Sequence, residues 1–183
     1  MIEPWKLRTE RLLQDTRVFR LWERVFVSLR TARAHPFFVI DAPDWVNVVA
    51  LTPADEVVLV RQYRVGTRRT TLEIPGGMID AGESPQVAAE RELVEESGFR
   101  AARWIDLGVI APNPAILSNR CHTFLAEGCV AGASSPDDGE ELEVETRPLA
   151  EIPALLADGT IDHALVAVAF QKLDLHRKGL LGR

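Results

Sequence analysis

Asp80, Glu83, Glu90, Glu92, Glu95 and Glu96 share one short stretch, GGMIDAGESPQVAAERELVEESGF (residues 76–99), and Arg91 is its sole basic residue. Like charges this close repel, and a helix gains nothing from stacking them. A cation held between them removes the difficulty. At about 100° per residue, Glu92, Glu95 and Glu96 fall on one helix face, within a sector of about 100°. Glu92 and Glu96 lie one turn apart and can share a cation, while Arg91 precedes Glu95 by one turn and can pair with it. Oxygen-only ligands favour hard cations, Mg²⁺ first and Mn²⁺ as its substitute. Mg²⁺ keeps several waters and takes one or two carboxylates together with substrate phosphates. Three converging carboxylates suit one ion, or a cluster of two or three. A solvated acidic face explains the composition of the stretch but not its spacing.

The elements around this stretch must position it. Ser84 suits an N-cap, Pro85 the first helical position and Gly98 the stop, so a helix is expected between them. Ala89 and Leu93 lie near the carboxylate face and can anchor that helix to a core. Upstream, residues 16–41 are rich in aromatic and β-branched side chains and read as two or three strands with a break near Ala34–Pro36. DWVNVVALTPADEVVLVRQYR reads as two strands around a turn at Pro53–Asp55, and TLEIPGG as a short strand ending in a glycine pair. Downstream, strands are expected near Ile105–Ala111, at Cys121–Ala126 and over LEVETRPL. GASSPDDGEE is a polar, acidic loop. LAEIPALLADG and IDHALVAVAFQKLDLHRKG read as helices, the second ended by Gly179. Mixed strands with a few helices predict an α/β or α+β sandwich.

Bulk properties narrow the function classes. The 183 residues suit one domain, or one domain with an appended subdomain. The net charge of −6 argues against nonspecific nucleic-acid binding. It leaves room for an anionic small substrate, because metal ions invert the local field. Cys121 and Cys129 form no CxxC pair and read as free thiols. No window has the length and apolarity of a membrane span, and MIEPWKLRTERLL is charged throughout, so no membrane association and a cytoplasmic location are expected.

The run Gly77, Glu83, Arg91, Glu92, Leu93, Glu95, Glu96, Gly98, Phe99 resembles the signature of the Nudix hydrolases, position for position. A chance match is on the order of 10⁻⁷ in a chain this long. The resemblance implies a Nudix α/β/α sandwich with a mixed β-sheet. In that family the segment holds divalent metal that bridges a diphosphate. Glu92 and Glu96 are then the leading metal ligands and Glu95 the next, with the backbone carbonyl of Gly76 a further ligand position. Glu83 supports the loop, Arg91 orients a glutamate, and Asp80 and Glu90 read as solvated surface.

Flanking residues resemble the subgroup that cleaves ADP-ribose and other nucleoside-diphosphate sugars. Pro114 stands sixteen residues after Gly98, as in ADP-ribose pyrophosphatases. VLVRQYR followed by LEIPGG resembles a pattern that makes Arg64 the diphosphate's partner, a task that suits a guanidinium. The segment APNPAILSNRCHTFLA departs from the subgroup's SPG, which opens the choice of sugar to GDP-mannose and others. The resemblance places the general base in the loop PDDGEELEVE, with Glu140 first and Glu141 second. It also implies a homodimer through residues 1–43, a β-strand subdomain, ahead of a Nudix domain at 44–183. Phe19, Trp22, Phe37, Phe38 and Trp45 are candidate platforms for a nucleobase, and His122 reads as structural. The expected reaction is Mg²⁺-dependent cleavage to a nucleoside monophosphate and a sugar phosphate, with Glu96 in the catalytic machinery. Two alternatives stand beside it: hydrolysis of dinucleoside polyphosphates or nucleoside triphosphates, and a non-catalytic ADP-ribose sensor.

Overall fold

Charged side chains alternate along KLRTERLLQD and find partners on the next strand. Arg11 pairs with Glu23 at 2.8 Å and Arg24 with Glu10 at 3.1 Å, so a segment with little apolar content still forms a ladder. The computed structural model describes residues 2–132 and 141–181. It divides into two compact units, Met1–Asp44 with Ala111–Arg120, and Trp45–Ile110 with Cys121–Arg183. The segment Ala111–Arg120, assigned by sequence to the second domain, thus groups with the first unit.

The first unit is a three-stranded antiparallel sheet of β1 (Lys6–Asp15), β2 (Arg20–Val27) and β3 (Ala34–Asp41), in the order β1-β2-β3. The break expected near Ala34–Pro36 falls earlier. Ser28 N–H donates to Arg33 O at 3.0 Å and Ala32 N–H to Ser28 O at 2.8 Å, closing a turn ahead of Ala34. Pro36 lies within β3 opposite Val25. The sheet tolerates it because β3 is an edge strand, where a missing N–H interrupts no inner ladder.

In the second unit the near-continuous apolar run of β4 (Trp45–Leu51) decides the layering. Val46, Val48 and Ala50 face one core, and Val49 and Leu51 face the other. The neighbouring β5 (Glu56–Arg64) divides in the same way, with Val58 on the first side and Val57 and Leu59 on the second. A strand buried on both faces needs a helix on each. After β6 (Arg69–Glu73) and β7 (Gly76–Met78), α1 (Pro85–Ser97) covers the first face through Ala88, Ala89 and Leu93. Then come β8 (Phe99–Arg100), β9 (Arg103–Ile110), β10 (Cys121–Glu127), β11 (Val130–Ala131) and β12 (Leu142–Pro148). The short α2 (Ile152–Ala157) and α3 (Ala164–Arg177) cover the second face through Ile152, Val166, Ala169, Phe170 and Leu173. The main sheet runs β12-β5-β4-β10-β9, with β6 on β5 and β7 on β4. Only the β10–β4 pair in it is parallel, so the sheet is mixed and the layers are α/β/α. TLEIPGG is therefore not one strand. Its first half belongs to β6, and its glycine pair opens β7 on a different neighbour. No helix among the described residues is long and apolar enough to cross a membrane.

The ends of α1 follow the sequence signals. Ser84 Oγ accepts from Val87 N–H at 3.3 Å. Gly98 closes the helix at φ 74°, a left-handed conformation that any Cβ would strain. Leu93 is 0% exposed and is the main apolar contact between α1 and the sheet. Leu93→Ala is expected to cost about 2–5 kcal/mol in a urea melt. A loss below about 1 kcal/mol would show that α1 is not anchored through this residue.

Candidate active site

Glu96 continues the buried stripe of α1 one turn beyond Leu93, and it is 4% exposed. A carboxylate so placed needs a donor. Gly76 N–H, at the start of β7, supplies one to Glu96 Oε2 at 2.9 Å. The contact requires β7 to lie close on β4, where Asn47 opposes Gly76 and Val46 opposes Gly77. A methyl group at position 76 would overlap the Val46 carbonyl, and one at position 77 would overlap the Glu92 carboxylate. The glycine pair is thus a condition of the site's geometry.

Arg91 gathers the remaining carboxylates. Its Nε and Nη2 donate to the two oxygens of Glu83 at 3.1 and 3.0 Å. Its Nη1 donates to Glu92 at 2.8 Å and to Glu95 at 2.9 Å. Nη2 also reaches Met78 O at 3.0 Å, which ties the loop between β7 and α1 to the helix. Glu83 Oε2 accepts Asp80 N–H at 3.1 Å, closing that loop from within. The Arg91 hydrogen bonds are the chief reason that the Glu83 carboxyl lies below its ordinary value; burial opposes them, and the Asp80 N–H and the Arg91 charge reinforce them. Arg91 is held above its own ordinary value, first by Glu83, against burial, and then by Glu95 and Glu92.

Met78, Asp80, Arg91, Glu92, Glu95 and Glu96 line one cavity of about 540 Å³, while Glu83 does not belong to its wall. Gly76, Glu92, Glu95, Glu96 and Arg64, five of the positions singled out by sequence, belong to its wall, and so does Trp45 among the candidate base platforms. Asp80 lines it as well, at an exposed position, whereas Glu90 is turned to solvent and pairs with Gln86 at 2.9 Å. Glu92, Glu95 and Glu96 are each engaged by a donor of the chain. Among the described residues no three Asp, Glu, His or Cys side chains close around one point. Arg91 Nη1 lies between Glu92 and Glu95, and Glu96 turns to the Gly76 amide, so the repulsion is relieved by donors of the chain itself.

Other positions fall elsewhere. Glu141 is exposed, immediately before β12, and does not belong to the cavity wall. Glu140 lies outside the described residues. Pro114 occupies an exposed turn of the first unit, which also carries Phe19, Trp22, Phe37 and Phe38. Cys121 and Cys129 are buried free thiols.

Glu73, Asn47, Gln62 and His163 also line the cavity, and the sequence reading passed over all four. Glu73 is 3% exposed and meets Arg64 through two hydrogen bonds of 2.9 Å. Burial pushes its carboxyl up, but the hydrogen bonds of Arg64 and Thr71 and the charges of Arg64 and His163 outweigh burial and leave it below the ordinary value. The available signal was a polar residue inside an otherwise apolar strand: Glu in TLEIP and Asn in WVNVVAL. Among the described residues of this wall, Glu73, Asp80, Glu92, Glu95 and Glu96 outnumber Arg64 and Arg91, so the cavity is net acidic.

A carboxyl depressed by folding adds stability above its unfolded value and loses it as the pH falls through the folded one. For Glu83 that window opens below the ordinary value of 4.5. Arg91→Met is therefore expected to melt a few degrees below the parent at about pH 7, with the gap narrowing toward about pH 3.5. A gap independent of pH would contradict the role given to the Arg91–Glu83 pair.

A family model described as the NUDIX domain matches residues 43–168. The chain is 30% identical over 151 residues to the ADP-ribose pyrophosphatase of Bacillus subtilis (strain 168), covering 81% of this chain and 82% of that one. It is 30% identical over 177 residues to the methanol dehydrogenase activator of Bacillus methanolicus, covering 96% of this chain and 95% of that one. The crystal structure of an ADP compounds hydrolase superposes with a TM-score of 0.86 at 25% identity and covers 99% of both chains. With its carboxylate helix, glycine pair and mixed sheet inside the matched region, this chain belongs to the NUDIX family.

Proposed function

We propose that the chain hydrolyses the diphosphate bond of ADP-ribose or a related nucleoside-diphosphate sugar, giving a nucleoside monophosphate and a sugar phosphate. The observation that carries this reading is the charge of the cavity: Glu92, Glu95 and Glu96 on one helix, with Arg64 in the same wall. A diphosphate is repelled by so many carboxylates unless cations enter with it. The donor set fits a hard divalent ion, because carboxylates and the Gly76 carbonyl offer oxygen alone. The absent Cβ at Gly77 fits it too, leaving space for the Glu92 carboxylate beside the strand. Glu92, Glu95, Glu96 and Gly76 would hold Mg²⁺, or Mn²⁺ in its place. When bound, such an ion supplies Lewis acidity at the phosphate oxygens and acidifies water.

The chain's own residues do the rest. Arg64 pairs with the diphosphate, as a guanidinium fork suits. Arg91 orients Glu92 and Glu95 and fixes the loop that carries Glu83. A loop glutamate, Glu140 or Glu141, accepts the proton of the attacking water. Pro114 contacts substrate by resemblance to the subgroup. We also read the chain as a homodimer through its first unit, a reading supported by the exposed Trp5, Phe37 and Phe38 on that sheet. A wider range of ADP-containing diphosphates is the second reading. The likeness to a solved ADP compounds hydrolase favours it.

Hydrolysis of ADP-ribose, GDP-mannose, UDP-glucose and diadenosine polyphosphates with Mg²⁺, with products separated by chromatography and a chelator as control, tests the reading. AMP with ribose 5-phosphate is expected from ADP-ribose, and no product under chelator. Turnover of diadenosine polyphosphates beside ADP-ribose would select the second reading, and turnover of none would refute both. Glu96→Gln is expected to lower kcat by about 100-fold or more with the fold retained. Near-normal turnover would remove Glu96 from the site.

A further inference from the structure

Glu73 ends β6 in a place where a carboxylate without partners is strongly disfavoured. Its partner across the ladder is Val60, whereas Arg64 opposes Arg69 at the other end of the same strand pair. Arg64 and Glu73 are therefore not cross-strand neighbours. Positions 60, 62 and 64 of β5 and 69, 71 and 73 of β6 share one face of the sheet. To reach Glu73, the Arg64 side chain lies back along that face, over the Gln62–Thr71 rung between them. A long basic side chain at a strand end ordinarily extends its charge into water. Here Nε meets Glu73 Oε1 and Nη2 meets Oε2, each at 2.9 Å.

The rung beneath takes part. Thr71 Oγ1 donates to Glu73 Oε1 at 2.5 Å, within reach of the Gln62 carbonyl at 3.3 Å. Both carboxylate oxygens are thereby engaged, and the carboxylate has little freedom to turn. Arg64, Gln62 and Glu73 all belong to the cavity wall that the α1 carboxylates complete.

We propose that Glu73 is a positioning residue, which folds the Arg64 guanidinium back over the Gln62–Thr71 rung and presents it in the cavity to the diphosphate. The inference rests on the reading of Arg64 as the diphosphate's partner. Holding the guanidinium in place before substrate arrives removes an ordering cost that binding would otherwise carry. The pair uses two of the five guanidinium N–H donors, on the Nε–Nη2 edge.

Calorimetric binding of inorganic pyrophosphate in the presence of Mg²⁺ tests this without requiring turnover. The proteins are the parent, Arg64→Met, Glu73→Gln and the double variant, each with a thermal melt. Each single variant is expected to weaken binding by about 10- to 100-fold, and the double variant no further than Arg64→Met alone. A merely structural Glu73 would lower the melting temperature and leave affinity unchanged, or add its effect to that of Arg64→Met, and either result overturns the proposal. Should Glu73→Gln fail to fold, Glu73→Asp keeps the charge and withdraws it by one methylene, and the same lack of additivity is expected. Unchanged pyrophosphate affinity in Arg64→Met beside normal ADP-ribose hydrolysis would remove this inference and leave the hydrolase reading in place. Coupled loss of affinity in a protein that hydrolyses nothing would do the reverse.

Discussion

Arg91 is the constraint on which the site depends. One guanidinium holds Glu83, Glu92 and Glu95 together and reaches the Met78 carbonyl. Without it, the carboxylates on α1 would repel one another and the loop from β7 would lose its tie to the helix. Its side chain is only partly exposed, so these interactions are screened less than surface pairs. The same contacts leave the carboxylate oxygens beside the cavity that Gly76 and Arg64 complete.

That arrangement works because the helix and the strand beneath it cannot move independently. Leu93 locks α1 to the first core, and Glu96 one turn on is fastened to the Gly76 amide. Gly76 is fixed in turn by pairing with Asn47 of β4, the strand buried on both faces. Core packing thus sets the height of the carboxylates over the sheet edge, and the glycine pair sets how closely strand and helix approach. Arg64, which lines the same cavity, is held by Glu73 across the β5–β6 ladder. The carboxylates and the two guanidiniums are both anchored to the central sheet, which gives the cavity a defined distribution of charge before any ligand enters.

Much of this was legible in residue types and spacing. Ser84, Pro85 and Gly98 mark the ends of α1 because capping is a local interaction. Near-continuous apolar runs mark β4 and β5 because burial on two faces leaves a plain pattern. Arg91 and Glu95 were expected to pair from their spacing, and they do. What escaped the sequence was non-local. Glu73 acquires its meaning only when β5 and β6 pair, and Asn47 only when β7 docks on β4. The strand break moved from Pro36 to the Ser28–Arg33 turn because an edge strand tolerates proline, and edge status is a property of the whole sheet. That one Arg91 nitrogen meets both Glu92 and Glu95 escaped as well, because a helical wheel places Cβ atoms, whereas side-chain ends follow the nearest donor.

In the proposed function the α1 carboxylates, arranged by Arg91 and the glycine pair, form a divalent-cation site. Mn²⁺ titration followed by electron paramagnetic resonance measures this directly, in the parent protein and in Glu92→Gln and Glu96→Gln. The account predicts saturable binding by the parent and affinity about 10-fold or more weaker in each variant. Equal Mn²⁺ affinity in all three proteins would contradict it.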